Sequence, residues 1–175
     1  AVAYGDLRPE MIARMPLAGD GAWEGPLKPS SEWRFHRDIV CARPEVGAVV
    51  HTHATYSTIL AIARRPIPAI HYMIAAFGAA EIPCCDYARY GTEELSGAIL
   101  RALGGMNGCL MANHGMLTVG PDLTRATWLA FELEALAQQY WHVLQIGGGH
   151  VLPEEEIAEV ARDFASYGVQ ARKAD

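Results

Sequence analysis

The chain has 175 residues, 51% of them hydrophobic, which suits one domain large enough to bury a core. A net charge of -6, with Lys and Arg scattered rather than clustered, excludes the basic stripe that a nucleic-acid surface needs. No run of eighteen apolar residues and no signal-peptide pattern occurs, so neither a membrane span nor secretion is expected. Cys41, Cys84, Cys85 and Cys109 contain no CxxC spacing and read as reduced thiols of a cytoplasmic protein.

Residues 1–29 are rich in Gly and Pro and read as loop with short edge strands. The chain starts without Met, in a segment that already looks structured, so a longer parent protein is expected. Ser30-Ser31 is a good helix cap, and a helix carrying Glu32 in its first turn is expected to run until Pro44 stops it. Val46 to Val50 is a short β-branched run, a buried strand leading into His51-Thr52-His53.

Residues 54–65 look helical, and extended segments are expected at Ile70–Ile74 and Glu81–Cys85. Thr92-Glu93-Glu94 opens another helix, which Gly104-Gly105 closes. Cys109–Ala112 and Met116–Val119 read as strands flanking Asn113-His114-Gly115. A long helix is expected from Asp122 to about Ile146, and a last one from Pro153 to Tyr167-Gly168. Strands and helices mix without a regular βαβ rhythm, which indicates a three-layer α/β/α domain.

Three features carry chemistry. His51 and His53 are two apart, so in a strand their imidazoles share a face and can bind one zinc ion; two hydrogen-bonded surface histidines fit the same spacing. His114, before Gly115, is either a third ligand or a core histidine satisfied by hydrogen bonds. Glu32 either complements the helix dipole or works as an acid–base group, and the adjacent serines suit a phosphate at a helix N-terminus. Lys28 and Lys173 are the only lysines, in a Pro-flanked loop and the tail. Neither suits a buried Schiff-base amine, so metal-assisted chemistry is favoured.

The run Pro29-Ser30-Ser31-Glu32-Trp33-Arg34-Phe35-His36, then Arg43-Pro44 and Ala48-Val49-Val50-His51-Thr52-His53, resembles the class II aldolase and adducin family. Ile67-Pro68-Ala69-Ile70-His71-Tyr72-Met73-Ile74, Ile82-Pro83-Cys84 and Tyr90-Gly91-Thr92 resemble its L-fuculose-1-phosphate aldolase branch. Ala126-Thr127-Trp128-Leu129-Ala130 and Phe164-Ala165-Ser166-Tyr167-Gly168 continue the likeness, which spans roughly residues 27–168.

The resemblance implies a central mixed, largely antiparallel sheet and one zinc ion per subunit on His51, His53 and His114. It implies Glu32 as the proton carrier beside the metal and Ser30 and Ser31 as part of a phosphate site. Tyr72, reaching across a subunit boundary, and Tyr167 would serve the aldehyde side. Tyr90 falls at an aromatic position near that pocket, often Phe in the family. The implied reaction is reversible cleavage of a deoxy-ketose 1-phosphate to dihydroxyacetone phosphate and an aldehyde, in a cytoplasmic homotetramer. Aldolases of 5-deoxy- or methylthio-pentulose phosphates, a sugar-phosphate 4-epimerase and a non-catalytic adducin-like assembly domain are the alternatives. The scaffold reading is disfavoured because all three histidines and Glu32 are present.

Two departures stand out. The family's Gly-Asn and Thr-Gly or Ser-Gly phosphate turns lie before the point where this chain begins. The reading is therefore one domain over 1–175 without the family's N-terminal segment. Ala112-Asn113 also replaces the Gln and His that the fuculose branch tends to carry before the third histidine, which bears on substrate rather than metal.

Overall fold

A computed structural model describes residues 2–164. A four-stranded sheet stands at its centre, in the order β1 (Ala48–Thr52), β6 (Gly115–Gly120), β5 (Gly108–Met111), β4 (Cys84–Cys85). β1 with β6 and β6 with β5 are antiparallel; β5 with β4 is parallel. The expected mixed, largely antiparallel sheet is present. A separate two-stranded ribbon joins β2 (Ile67–Pro68) to β3 (Glu81–Ile82).

Alternation along the strands builds two cores. Cys109, Met111, Leu117 and Val119 face α1 (Trp33–Ala42) and α3 (Glu93–Leu103), whose Phe35, Ile39, Leu95 and Ile99 fill that side. Leu110 and Met116 face the other way, towards α2 (Thr55–Ile62) and α4 (Leu123–Gln145), with Leu60, Leu129 and Leu133. Side chains two apart in a strand share a face, so each buried strand feeds both layers. Each fully buried Leu, Ile or Phe contributes roughly 1.5–3 kcal/mol. The result is the α/β/α sandwich expected from the sequence.

The caps follow their residues. Thr92 accepts a hydrogen bond from Leu95 N and Asp122 one from Arg125 N, each closing a helix start. α5 (Glu154–Phe164) packs against the segment Tyr72–Phe77. The described residues end within the expected last helix, so Tyr167 and Gly168 lie outside them.

Two expectations change. Ile70–Ile74 does not form a strand; Tyr72–Phe77 is a 3-10 helix. His71 accepts from Met73 N at its start, and Gly78 at φ 76° ends it, so local caps prevail over the apolar run. Residues 2–29 hold two short 3-10 turns and a single bridge, Arg14 with Glu24, rather than edge strands.

Candidate metal centre

Glu32, His51, His53 and His114 converge although three different elements deliver them. His51 lies in β1, opposite Leu117 of β6, and His53 follows that strand. His114 sits in the tight turn between β5 and β6, where its N–H donates to Met111 O and Asn113 takes φ 54°. An asparagine tolerates that left-handed backbone better than most residues. Glu32 is not, as expected, in the first turn behind a serine cap. It is itself the cap position of α1, with φ -103° and ψ 11°, because the helical backbone begins only at Trp33, and its carboxylate caps nothing. It turns instead to the histidines, so the helix-dipole reading is incomplete.

The three imidazoles form an even triangle. Their ring centroids are 4.9 Å apart in every pairing, with planes inclined by 73°, 80° and 66°. Glu32 Oε2 is 3.1 Å from His51 Nε2, and Oε1 is 3.2 Å from His114 Nε2. One ligand atom from each of the four residues lies within 4.8 Å of all the others.

Gly115 makes this approach possible. A Cβ there would stand 2.5 Å from Thr52 O and 2.9 Å from His53 Cδ2. Only glycine lets β6 come this close to the end of β1.

The proton positions favour a cation. His51 Nδ1 is 2.9 Å from Met116 O. A carbonyl only accepts, so Nδ1 carries the hydrogen. Burial, the largest influence, pushes the His51 pKa down to about 4, and also lowers that of His114. His51 is therefore neutral at pH 7, and its Nε2 presents a lone pair to the Glu32 carboxylate and to His53 Nε2, 3.1 Å away. Glu32 Oε1 is buried with no hydrogen bond, although His114 Nε2 stands 3.2 Å away. Converging lone pairs and an orphaned carboxylate oxygen fit a divalent metal, with a backbone carbonyl orienting one ligand from behind.

Two clefts flank the cluster. One, of about 500 Å³, is lined by Ser31, Glu32, His53, Tyr90, Asn113 and His114. The other, of about 380 Å³, is lined by Ser30, Glu32, His36, His51, Thr52 and His53. Ser30 Oγ also accepts from Glu32 N at 3.2 Å. Tyr90 is 59% exposed at the larger cleft. Tyr72 lines neither cleft; it stacks on His71, is 48% exposed and faces Phe164.

Sequence reasoning passed over Arg64, Met116 and Glu134. Arg64 Nε donates to Asn113 Oδ1 at 3.1 Å, from a residue itself at φ 50°. Met116 acts through its backbone, which no side-chain pattern reveals.

An α/β/α sandwich with a three-histidine, one-carboxylate centre at the edge of its sheet defines a class of metal-site enzymes. The profile of the "Class II Aldolase and Adducin N-terminal domain" matches residues 1–141. The chain belongs to the class II aldolase and adducin family, and its aldolase-named relatives place it among the carbon–carbon lyases. It is 51% identical over 167 residues to a 5-methylthioribulose-1-phosphate/5-deoxyribulose-1-phosphate aldolase of Rhodospirillum rubrum, covering 95% of this chain and 75% of that one. It is 47% identical over 155 residues to an L-fuculose phosphate aldolase of Escherichia coli O6:H1, covering 88% and 72%. A solved L-fuculose 1-phosphate aldolase superposes with a TM-score of 0.89 at 35% identity, covering 94% and 76%.

Proposed function

We propose that the chain catalyses reversible, zinc-dependent aldol cleavage of a deoxy-ketose 1-phosphate to dihydroxyacetone phosphate and an aldehyde. The observation that carries this reading is the convergence of His51, His53, His114 and Glu32 within 4.8 Å beside an open cleft.

In this reading His51, His53 and His114 hold the ion. Three imidazoles with an open position are the donor set of a catalytic zinc site. Bound there, the metal supplies a Lewis acid that withdraws electron density from the substrate carbonyl. In cleavage, the bond between the third and fourth carbons breaks, and the fourth-carbon hydroxyl becomes the aldehyde. Its proton passes, by way of a tyrosine hydroxyl on the aldehyde side, to solvent, which balances the proton taken up at the third carbon. Glu32 delivers a proton to the electron pair left on the third carbon; in synthesis it removes that proton.

Ser31, at the larger cleft, and Ser30, at the smaller, serve the phosphate at the start of α1, where free N–H groups favour an anion. Tyr90 packs against the substrate in the larger cleft. Tyr72 serves the aldehyde side across a subunit boundary in a homotetramer, a role its exposure accommodates. Tyr167, outside the described residues, serves the same side.

A second substrate reading rests on the Rhodospirillum rubrum relative, whose name specifies 5-methylthio- and 5-deoxyribulose 1-phosphates. Both readings share a ketose 1-phosphate and differ in the aldehyde. Incubation with a panel of deoxy- and methylthio-ketose 1-phosphates, followed by product identification, tests them. Release of free dihydroxyacetone phosphate supports an aldolase. Conversion to an epimeric sugar phosphate without it would indicate a 4-epimerase, and no turnover together with no bound metal would indicate an assembly domain.

A further inference from the structure

We infer that Glu134, on α4, is a positioning residue for His53, acting as a helix cap supplied from a distant part of the chain. The inference rests on the reading of His53 as a metal ligand.

His53 has the least backbone support of the three histidines. His51 lies inside the β1–β6 ladder, and His114 is held in a tight hydrogen-bonded turn. Pairing of β1 with β6 ends at Thr52 opposite Met116. His53 is therefore past the ladder and one residue before Ala54, the cap position of α2. Its backbone course depends on where α2 begins.

That start lacks a local cap. Ala54 has the extended backbone of a cap residue, φ -60° and ψ 143°, but no side chain to accept a hydrogen bond. Alanine is among the poorest residues at this position. A cap side chain ordinarily satisfies the second and third helical N–H groups, here those of Tyr56 and Ser57. Glu134 takes both: Tyr56 N donates to Oε1 at 2.8 Å and Ser57 N to Oε2 at 2.9 Å. The Ser57 hydroxyl adds a third bond to Oε2 at 2.6 Å. A carboxylate at a helix N-terminus also gains from the helix dipole.

α4 packs on β1, on β6 and on α2. The same helix thus supports the strand that carries His51 and fixes the first turn that follows His53. Through Glu134 the spacing between the two ligands is supported from behind, in addition to the local bond that Ala54 N donates to Thr52 Oγ1 at 3.4 Å.

The test measures Co2+ affinity of the full chain by competition with a chromogenic chelator, together with the visible spectrum of the bound cobalt. The wild-type chain is expected to bind one ion. Glu134→Ala is expected to weaken binding by about 10–100-fold, the usual scale for a residue that orients a metal ligand, and to alter the spectrum. Glu134→Gln, which retains one acceptor oxygen, gives a smaller loss and carries the test if the alanine variant does not fold. Adding Ala54→Asp to Glu134→Ala should restore affinity by providing a local cap. Leu136→Ala, on the same helix, should lower thermal stability while leaving the affinity and spectrum of the folded protein unchanged.

A folded Glu134→Ala protein with wild-type cobalt affinity and spectrum overturns the inference and leaves the metal site standing. So does a loss that Ala54→Asp fails to recover, or an equal loss in Leu136→Ala. A wild-type chain that binds no cobalt overturns both.

Discussion

Glu32 Oε2 lies 3.1 Å from His51 Nε2, although nineteen positions separate the two residues, one at the start of a helix and the other inside a strand. This contact joins the proton-carrying group of the proposed reaction to a proposed metal ligand. Glu32→Gln preserves the shape of the side chain but cannot exchange the proton. It should lower the rate of aldol cleavage by about 10²–10⁴-fold, the typical range for a general acid–base group. Metal content measured on the purified variant should stay close to one ion per chain. A near-wild-type rate would remove Glu32 from the proton step.

The close approach at Gly115 predicts a packing defect coupled to the site. Gly115→Ala places a Cβ against Thr52 O and His53. Overpacking of this kind costs about 1–3 kcal/mol. Denaturant unfolding should report that loss, and chelator competition should report weaker metal binding. Gly105→Ala is the control, since nothing lies within 4 Å of the added atom.

The histidines set an acid limit on the metal-free protein. Burial lowers the pKa of His36, His51 and His114, that of His51 to about 4. Each group is protonated more readily in the unfolded chain, whose histidines titrate near 6.5. The unfolded state therefore binds more protons between these values, and stability falls as the pH drops from about 6.5 towards 4. Thermal unfolding of metal-free protein across this range should show a falling midpoint. His51→Gln should flatten that dependence.

Tyr72 tests the oligomeric part of the proposal. Its ring is half exposed and lines neither cleft of its own chain. In a tetramer with shared sites, Tyr72→Phe should reduce turnover without changing metal content. Dilution that dissociates the assembly, followed by light scattering, should reduce turnover in parallel. Full activity in a monomeric fraction would contradict the shared site.

Much of this architecture was legible in the chain. Thr92, Asp122 and Gly104 mark helix ends, and the Val46–Val50 run marks the strand that carries His51, because each signal acts within a few residues. The site was legible only in part. His-x-His spacing and a lone His114 permit surface or core histidines equally well, and the family resemblance linked them. The apolar run Ile70–Ile74 suggests a strand where the chain forms the 3-10 helix Tyr72–Phe77, because such a run does not reveal the caps at His71 and Gly78. Glu134 gave no signal, since its partners Tyr56 and Ser57 lie 78 and 77 positions away and only the packing of α4 on α2 brings them together.

The metal requirement is the central claim, and its most direct test is turnover of a ketose 1-phosphate before and after chelation. Removing the ion should abolish release of dihydroxyacetone phosphate, and one equivalent of zinc per chain should restore it. Undiminished cleavage by protein shown to be free of metal would contradict the account.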